Sequence, residues 1–483
     1  MSENSAMAGG QSISFRERRD VVIAALGDWL KRNQGTIRSI QWVVVAFYLL
    51  LVAVPAFLPL PGRVAHIWSN LTLFAQFCFW GIWWPAVLLS MVVVGRAWCG
   101  IMCPEGNLTE IVSGHGRGLA IPRWLKWKGW PFVAFSCTTV YGQMVSVYQY
   151  PKPVLLILGG STAGAIVIGY LYGRNKRVWC RYLCPVNGVF GLLAKLAPLH
   201  FRVDSDAWAR SRPSHASAEQ RPPHQSLEPI NCAPLVAIRT MKGAGDCHMC
   251  GRCSGFRGAV ALEFRSPTEE IVRIAGTQPK PWETVLILFG LMGVAVGAFH
   301  WSASPWFIDI KQNAALWLID HGMTFVLAVQ PPWWILTDYP DRNDMMTLLD
   351  GAVLIGYILA TALVMGGVLS LSLAAAARCL GPWSAAKFHH LAQALIPMAG
   401  CGVILGLSAL TVTLLHNEGF ALGFVPALRL LFLAGAASWC LYLAWKIAGL
   451  YSKSRFRQAA ATTLFGTAVG LGGASWVLLF FIW

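Results

Sequence analysis

Long apolar runs separated by short polar connections dominate this chain. Nine of them, at about 40–60, 70–95, 130–149, 153–173, 282–300, 346–372, 389–415, 422–448 and 458–482, read as membrane spans. The first, "WVVVAFYLLLVAVPAFLPL" (42–60), meets the need of a hydrocarbon core of roughly 30 Å for about 20 helical residues. The pattern predicts an all-α integral membrane protein with about nine transmembrane helices. Only residues 201–280 form a long polar stretch. It opens as a Ser-, Pro- and His-rich linker (204–229), a composition that packs no core, and tightens into "NCAPLVAIRTMKGAGDCHMCGRCSGFRGAVALEF" (231–264). Four parts result: a basic N-terminus (1–39), a four-helix membrane domain (40–200), the polar segment (201–280) and a five-helix membrane domain (281–483). Within the last, 301–345 is a segment outside the membrane, where 313–329 has the helical apolar spacing of an interfacial helix and 331–344 reads as a tryptophan-bearing loop at headgroup level.

Composition agrees with lipid as the solvent. The chain is 56% hydrophobic and only 12% charged, against about a quarter charged in soluble domains. The net charge of +16 resembles a nucleic-acid footprint until its distribution is read. Basic residues gather after the even-numbered spans: Arg96, Arg117, Arg123, Lys126 and Lys128; "RNKR" at 174–177; Arg378 and Lys387; "KSRFR" at 453–457. That is the positive-inside rule. It predicts a bacterial inner-membrane, multi-pass protein with a cytoplasmic N-terminus and a periplasmic C-terminus. Anionic lipid is the partner this basicity implies, and nucleic acid is not. No short apolar core with a small-residue cleavage site precedes the first span, so no cleavable signal is expected. Buried acids along a transmembrane path are absent from the pattern, which speaks against a pump or ion channel.

Thirteen cysteines change the picture. Cys78, Cys137, Cys379, Cys401 and Cys440 sit singly in or beside apolar runs and read as small buried hydrophobes. The other eight fall on the side inferred to be cytoplasmic, where clustered thiols mean metal or redox chemistry rather than disulfides. "RAWCGIMCP" (96–104) and "RVWCRYLCP" (177–185) share the pattern R-x-W-C-x-x-x-C-P, each directly after an apolar run. This marks an internal duplication. C-x3-C puts two thiols on one helical face a turn apart, and the proline ends the helix. One copy cannot hold a cubane; two side by side supply Cys99, Cys103, Cys180 and Cys184. "CHMCGRC" adds Cys247, Cys250 and Cys253 at C-x2-C-x2-C spacing, but Arg257 and Gly258 stand where a ferredoxin places its fourth Cys-Pro. The missing ligand comes from Cys232 or from a Cys-Pro cysteine, Cys103 or Cys184. Eight thiolates suit two [4Fe-4S] clusters, and two partitions are consistent: membrane four and polar-segment four, or a crossed arrangement. Two four-cysteine zinc sites are the competing chemistry, for which this spacing is unusual.

These stretches, "WCGIMCPEGNLTE" and "WCRYLCPVNGVFG" with the following cysteine patch, resemble the polyferredoxin-like membrane proteins of the NapH, NosR and CcoG type over about residues 40–265. The resemblance implies two cubanes on the cytoplasmic face, in a small ferredoxin-like patch, and electron movement at a bacterial inner membrane. It extends to quinol-linked supply of periplasmic reductases, maturation of copper enzymes or metal-ion reduction. The chain departs from the pattern in its single incomplete ferredoxin motif, in lacking a flavin-attachment domain, and in its five C-terminal spans.

Two functional classes follow. The first is an electron-transfer protein linking the quinone pool or a cytoplasmic donor to a membrane or periplasmic redox partner. The second is a maturation factor whose clusters reduce a metal ion, copper, for oxidase assembly. A redox sensor would not need nine spans. Crossing the membrane with electrons needs a further carrier, and histidines are the candidate residues for haem, quinone or another metal: His300, His321, His390 and His416. His390 and His416 are 26 residues apart, at opposite ends of one expected helix, so they cannot share a haem. No spacing signature supports haem b, and quinone remains the other candidate ligand.

Overall fold

The computed structural model describes residues 15–62, 64–211 and 230–483; the expected linker at 204–229 falls mainly outside them. Apolar length decides the elements. After an N-terminal helix α1 (Phe15–Arg32) come α2 (Gln34–Phe57) and α3 (Leu71–Val94). Short helices α4 (Ala97–Ile101) and α5 (Pro104–Gly114) follow, then α6 (Trp130–Met144) and α7 (Pro151–Tyr172). The second copy of the repeat continues as α8 (Val178–Tyr182) and α9 (Asn187–Ala194). The C-terminal part holds α10 (Pro281–His300), α11 (Pro305–Asp320), α12 (Leu348–Cys379), α13 (Ala385–Gln393), α14 (Ile396–Asn417), α15 (Val425–Tyr451) and α16 (Arg455–Ile482).

Eight helices among the described residues are long and apolar enough to cross a membrane: α2, α3, α7, α10, α12, α14, α15 and α16. The protein is an all-α, multi-pass membrane protein. Nine full-length spans were expected, and the difference lies at 130–149. There α6 stops at Met144, about 22 Å long at 1.5 Å per residue. Ser146 takes a left-handed φ of 52°, so the chain turns instead of extending the helix. A second difference is the break between α13 and α14, which removes the single helix expected to carry both His390 and His416. Pro397, near the start of α14, denies the backbone donor that a continuous helix would need.

Small residues let the bundle close, as expected where lipid gives no hydrophobic drive between helices. A Cβ on Gly293 would lie 2.7 Å from the Ala362 Cα, so α10 and α12 approach backbone to backbone. Thr109 of α5 donates to the Ala165 carbonyl of α7 at 2.8 Å, where Ala165 and Gly169 leave room. Away from these seams, Leu359, Leu363, Val364, Val368 and Leu371 of α12 point outward, as a lipid-facing surface requires.

The polar segment is anchored by one antiparallel pair, β1 (Leu199–Val203) with β2 (Val260–Phe264), in register Leu199↔Phe264 to Val203↔Val260. Phe201, Met249, Phe256, Val260 and Leu262 form its small core. Helix α1 lies on β2, where a Cβ on Gly27 would stand only 3.0 Å from Leu262 Cβ.

Candidate metal centres

Each copy of the repeat folds alike: a span, one turn of helix bearing the first cysteine, then a helix beginning at or shortly after the Cys-Pro. Cys99 and Cys180 lie in α4 and α8. The following proline closes each turn early, so Cys103 leaves the helix and caps the next one, its sulfur accepting from Gly106 N at 3.4 Å. The two thiols of a copy therefore do not share the helical face that their spacing predicts, because α4 ends at Ile101 and α8 at Tyr182, before the second cysteine.

The repeats converge. Cys99, Cys103, Cys180 and Cys184 line one end of a single cavity. The two motifs are connected through α6 and α7. Burial, then Cys180 and Cys99, push the Cys103 thiol well above its ordinary value. Burial, then Glu105, Cys180 and Cys103, do the same to Cys184. The remaining four gather separately. Cys247 is pushed up to about 12 by burial with Cys250 and Cys232 beside it. Cys253 is raised by burial with Cys247, Cys250 and Cys232 around it. Cys232 thus lies near the local trio. Thiols so buried keep their protons unless a metal replaces them.

A cubane takes one thiolate at each of its four irons, around a volume rather than a point. Zinc instead needs its ligands gathered about 2.3 Å from one centre. Among the described residues no three His, Cys, Asp or Glu side chains form a group that could hold a single ion. The donor set, four thiols per site with backbone N–H groups aimed at sulfur, fits an iron–sulfur cluster at each. Met249 N reaches the Cys247 sulfur at 3.4 Å, made possible by left-handed φ values at Met249 (54°) and Gly251 (77°).

The two sites touch through Gly100. A Cβ there would collide with the His248 carbonyl and lie 2.9 Å from Cys250 N. The second copy has Arg181 at this position, which faces away to pair with Asp246 at 2.8 Å. The arginines that open each motif, assigned from sequence only to topology, are both buried, Arg96 at 3% and Arg177 at 2% exposed. Burial opposes the Arg96 charge, but Cys99, Asp246 and Cys184 outweigh it and raise its pKa. Arg96 also donates to the Gly245 carbonyl (2.9 Å) and to Asn187 (2.7 Å), tying motif one to the polar segment and to α9. Arg177 donates to Glu110 (2.6 Å) and to the Cys99 carbonyl (2.5 Å), while Arg252 of the cysteine loop holds the other Glu110 oxygen at 2.6 Å. Burial would raise the Glu110 carboxyl, yet Arg177 and Arg252 hold it below its ordinary value. The sequence signal for these arginines was their recurrence three residues before the first cysteine of both copies.

Residues 77–126 and 155–204 each match the 4Fe-4S binding domain family. These two stretches contain the paired Cys-Pro motifs. Among characterised proteins, the chain is 22% identical over 245 residues to the putative electron transport protein YccM of Escherichia coli, covering 44% of this chain and 62% of that one. It is 27% identical over 151 residues to protein NirI of Paracoccus denitrificans, covering 27% of this chain and 21% of that one. It is 27% identical over 121 residues to the methylamine utilization ferredoxin-type protein MauN of Methylorubrum extorquens, covering 23% of this chain and 42% of that one. The chain thus spans less than two thirds of the length of these relatives. No solved structure matches it. The chain resembles the ferredoxin-type, polyferredoxin-like membrane electron-transport proteins, as its motifs implied.

The histidines named from sequence do not assemble. His300 places its ring nitrogens on the Val296 carbonyl (2.6 Å) and the Ser475 carbonyl (2.7 Å). His390 sits between Tyr451 (2.9 Å) and the Ile271 carbonyl (2.8 Å). His321 stacks on Trp317 at 4.2 Å, and His416 borders a separate pocket with Arg429. His248, beside Cys247, is 2% exposed and lines the cavity of the membrane cysteines.

Proposed function

We propose that this protein moves electrons at a bacterial inner membrane. One [4Fe-4S] cluster would be held by Cys99, Cys103, Cys180 and Cys184 and a second by Cys232, Cys247, Cys250 and Cys253, both at the cytoplasmic face. The observation that carries this is the gathering of Cys99, Cys103, Cys180 and Cys184 on one cavity and of Cys232, Cys247, Cys250 and Cys253 near one another, with backbone contact between the two groups at Gly100 and His248. Such clusters, when bound, exchange single electrons at potentials set by the charge and hydrogen bonds around them. The chain supplies both: Arg96 and Arg177 bring buried positive charge to the thiolates, and Gly106 and Met249 donate N–H groups to sulfur. The printed names of YccM and MauN, an electron transport protein and a ferredoxin-type protein, support the same reading. The donor is a quinol or a cytoplasmic reductant, and the acceptor a membrane or periplasmic protein.

Anaerobic purification with iron and sulfide analysis tests this. About eight irons per chain are expected for two cubanes. Cys232→Ser should perturb only the EPR signal that Cys247→Ser also perturbs, leaving the Cys99-dependent signal intact. Zinc in place of iron would end the proposal, and a Cys232→Ser effect on the Cys99-dependent signal would replace this partition with the crossed one. Reporter fusions at the 174–177 and 331–344 connections test the orientation.

A further inference from the structure

The cavity lined by the membrane cysteines is also lined by residues of α3, α6, α7, α10 and α14. It encloses about 250 Å³ and continues away from the thiols into the bundle. Phe79, Trp83 and Leu88 of α3 all face it, so it runs over more than two helical turns, roughly 12 Å. Tyr148, Phe299 and Leu407 also line it.

Three features describe what fits there. The walls are aromatic slots: Trp83 meets Trp98 edge-on at 4.9 Å and Trp80 meets Tyr148 at 4.6 Å, a lining suited to a flat ring. Three buried polar atoms of the lining have no partner, Trp84 Nε1, Arg96 Nε and His248 Nδ1. An indole N–H only donates, so the missing partner presents a hydrogen-bond acceptor. The third feature is a side opening. Helix α6 packs on α9, α10 and α12, whereas α7 packs on α2, α5 and α8, and no extended packing joins α6 to α7. Thr138 and Thr139 of α6 and Leu158 and Ser161 of α7 line the cavity from the two helices flanking this gap and are half-buried. Two stretches of wall, Phe77–Trp83 and Leu155–Gly159, are π-helical, a widening frequent at functional sites. Haem is poorly suited, because His248 is the only histidine in the lining and sits between two cluster cysteines.

We infer that this chamber binds a lipid-soluble quinone or quinol, its ring between the tryptophans with a carbonyl or hydroxyl oxygen toward Trp84 and His248, and its isoprenoid tail leaving between α6 and α7. The inference rests on the proposed function and names the membrane redox carrier for it.

The test uses the chain purified anaerobically with its clusters, on which iron, sulfide and extractable quinone are measured together. Decylubiquinone and a short-chain menaquinone are then titrated in. A stoichiometric retained quinone or saturable analogue binding is expected. Thr138→Trp and, separately, Ser161→Phe, placed on opposite sides of the gap, should keep the iron and bind the analogue at least tenfold more weakly. The inference is overturned if the iron-replete chain binds neither quinone, if it retains a phospholipid acyl chain in that space instead, or if both variants keep their iron and bind as the parent does. Absence of iron would overturn the proposed function, while the titration still decides the chamber.

Discussion

Gly100→Ala sets two physical effects against each other. On helix propensity alone the substitution stabilises α4, since glycine in a helix costs roughly 0.5–1 kcal/mol relative to alanine. Packing predicts the reverse. The new methyl would collide with the His248 carbonyl oxygen and stand 2.9 Å from Cys250 N and 3.0 Å from Cys250 Cα. Carbon pairs are most favourable at about 3.5–4.0 Å, so the cysteine loop must retreat by roughly 0.5 Å or more. All three contacts are backbone, which cannot rotate aside as a side chain does. Overpacking of this kind costs about 1–3 kcal/mol, leaving a net penalty of about 1–2 kcal/mol, or a factor of roughly 5–30 in the docked population. Gly35→Ala is the control, because nothing lies within 4 Å of a Cβ there and propensity alone should act. The assay is low-temperature EPR of the reduced protein, in which magnetic interaction between the two centres should weaken in Gly100→Ala and persist in Gly35→Ala, together with thermal release of iron. A Gly100→Ala protein that is stabilised, with an unchanged spectrum, would refute the backbone docking of the two sites.

Three further outcomes are expected. Arg177→Met removes one of the two guanidinium partners of Glu110, whose side chain is largely buried, and leaves Arg252 on its other oxygen, so the loss in thermal iron retention should fall below the about 3–5 kcal/mol of a fully broken buried pair; Arg177→Met with Arg252→Met should cost more than either change alone. Because Glu110 titrates below the ordinary carboxylate value, its stabilisation is complete above about pH 4.3 and fades as pH falls through the lowered value. Iron release should therefore steepen below that pH in the parent and not in Glu110→Gln, and identical acid profiles would contradict the assignment. Gly251→Ala combines a left-handed φ of 77° with a collision against Leu30 of α1, so it should expose the Cys247–Cys253 loop to protease faster than the parent, and equal protection would show that α1 does not rest there.

Much of the fold was legible because its signals are local. A span must satisfy its own backbone hydrogen bonds within the hydrocarbon, so apolar length alone announces it, and eight of the nine expected runs were recovered as crossing helices. The failure at 130–149 came from a turn: Ser146 takes a left-handed φ, and its hydroxyl meets that of Thr337, 191 residues away, at 2.7 Å. Likewise the Cys-Pro pattern disclosed two equivalent helix ends but not their convergence. What the cysteine spacings could not reveal is which four thiols face one another, because that depends on backbone contact between distant segments.

By itself the sequence determined the membrane class, the duplicated motif, the eight candidate thiols and the relationship to ferredoxin-type proteins, all properties of residues near one another along the chain. Only the tertiary structure decided that Cys232 lies near Cys247 and Cys253, that Gly100 meets the backbone of His248 and Cys250, that Arg96 and Arg177 are buried, and that an aromatic-lined cavity adjoins the four cysteines of the repeated motif. These follow from packing, where a missing methyl or a diverging pair of helices has meaning only against a neighbour tens of residues away.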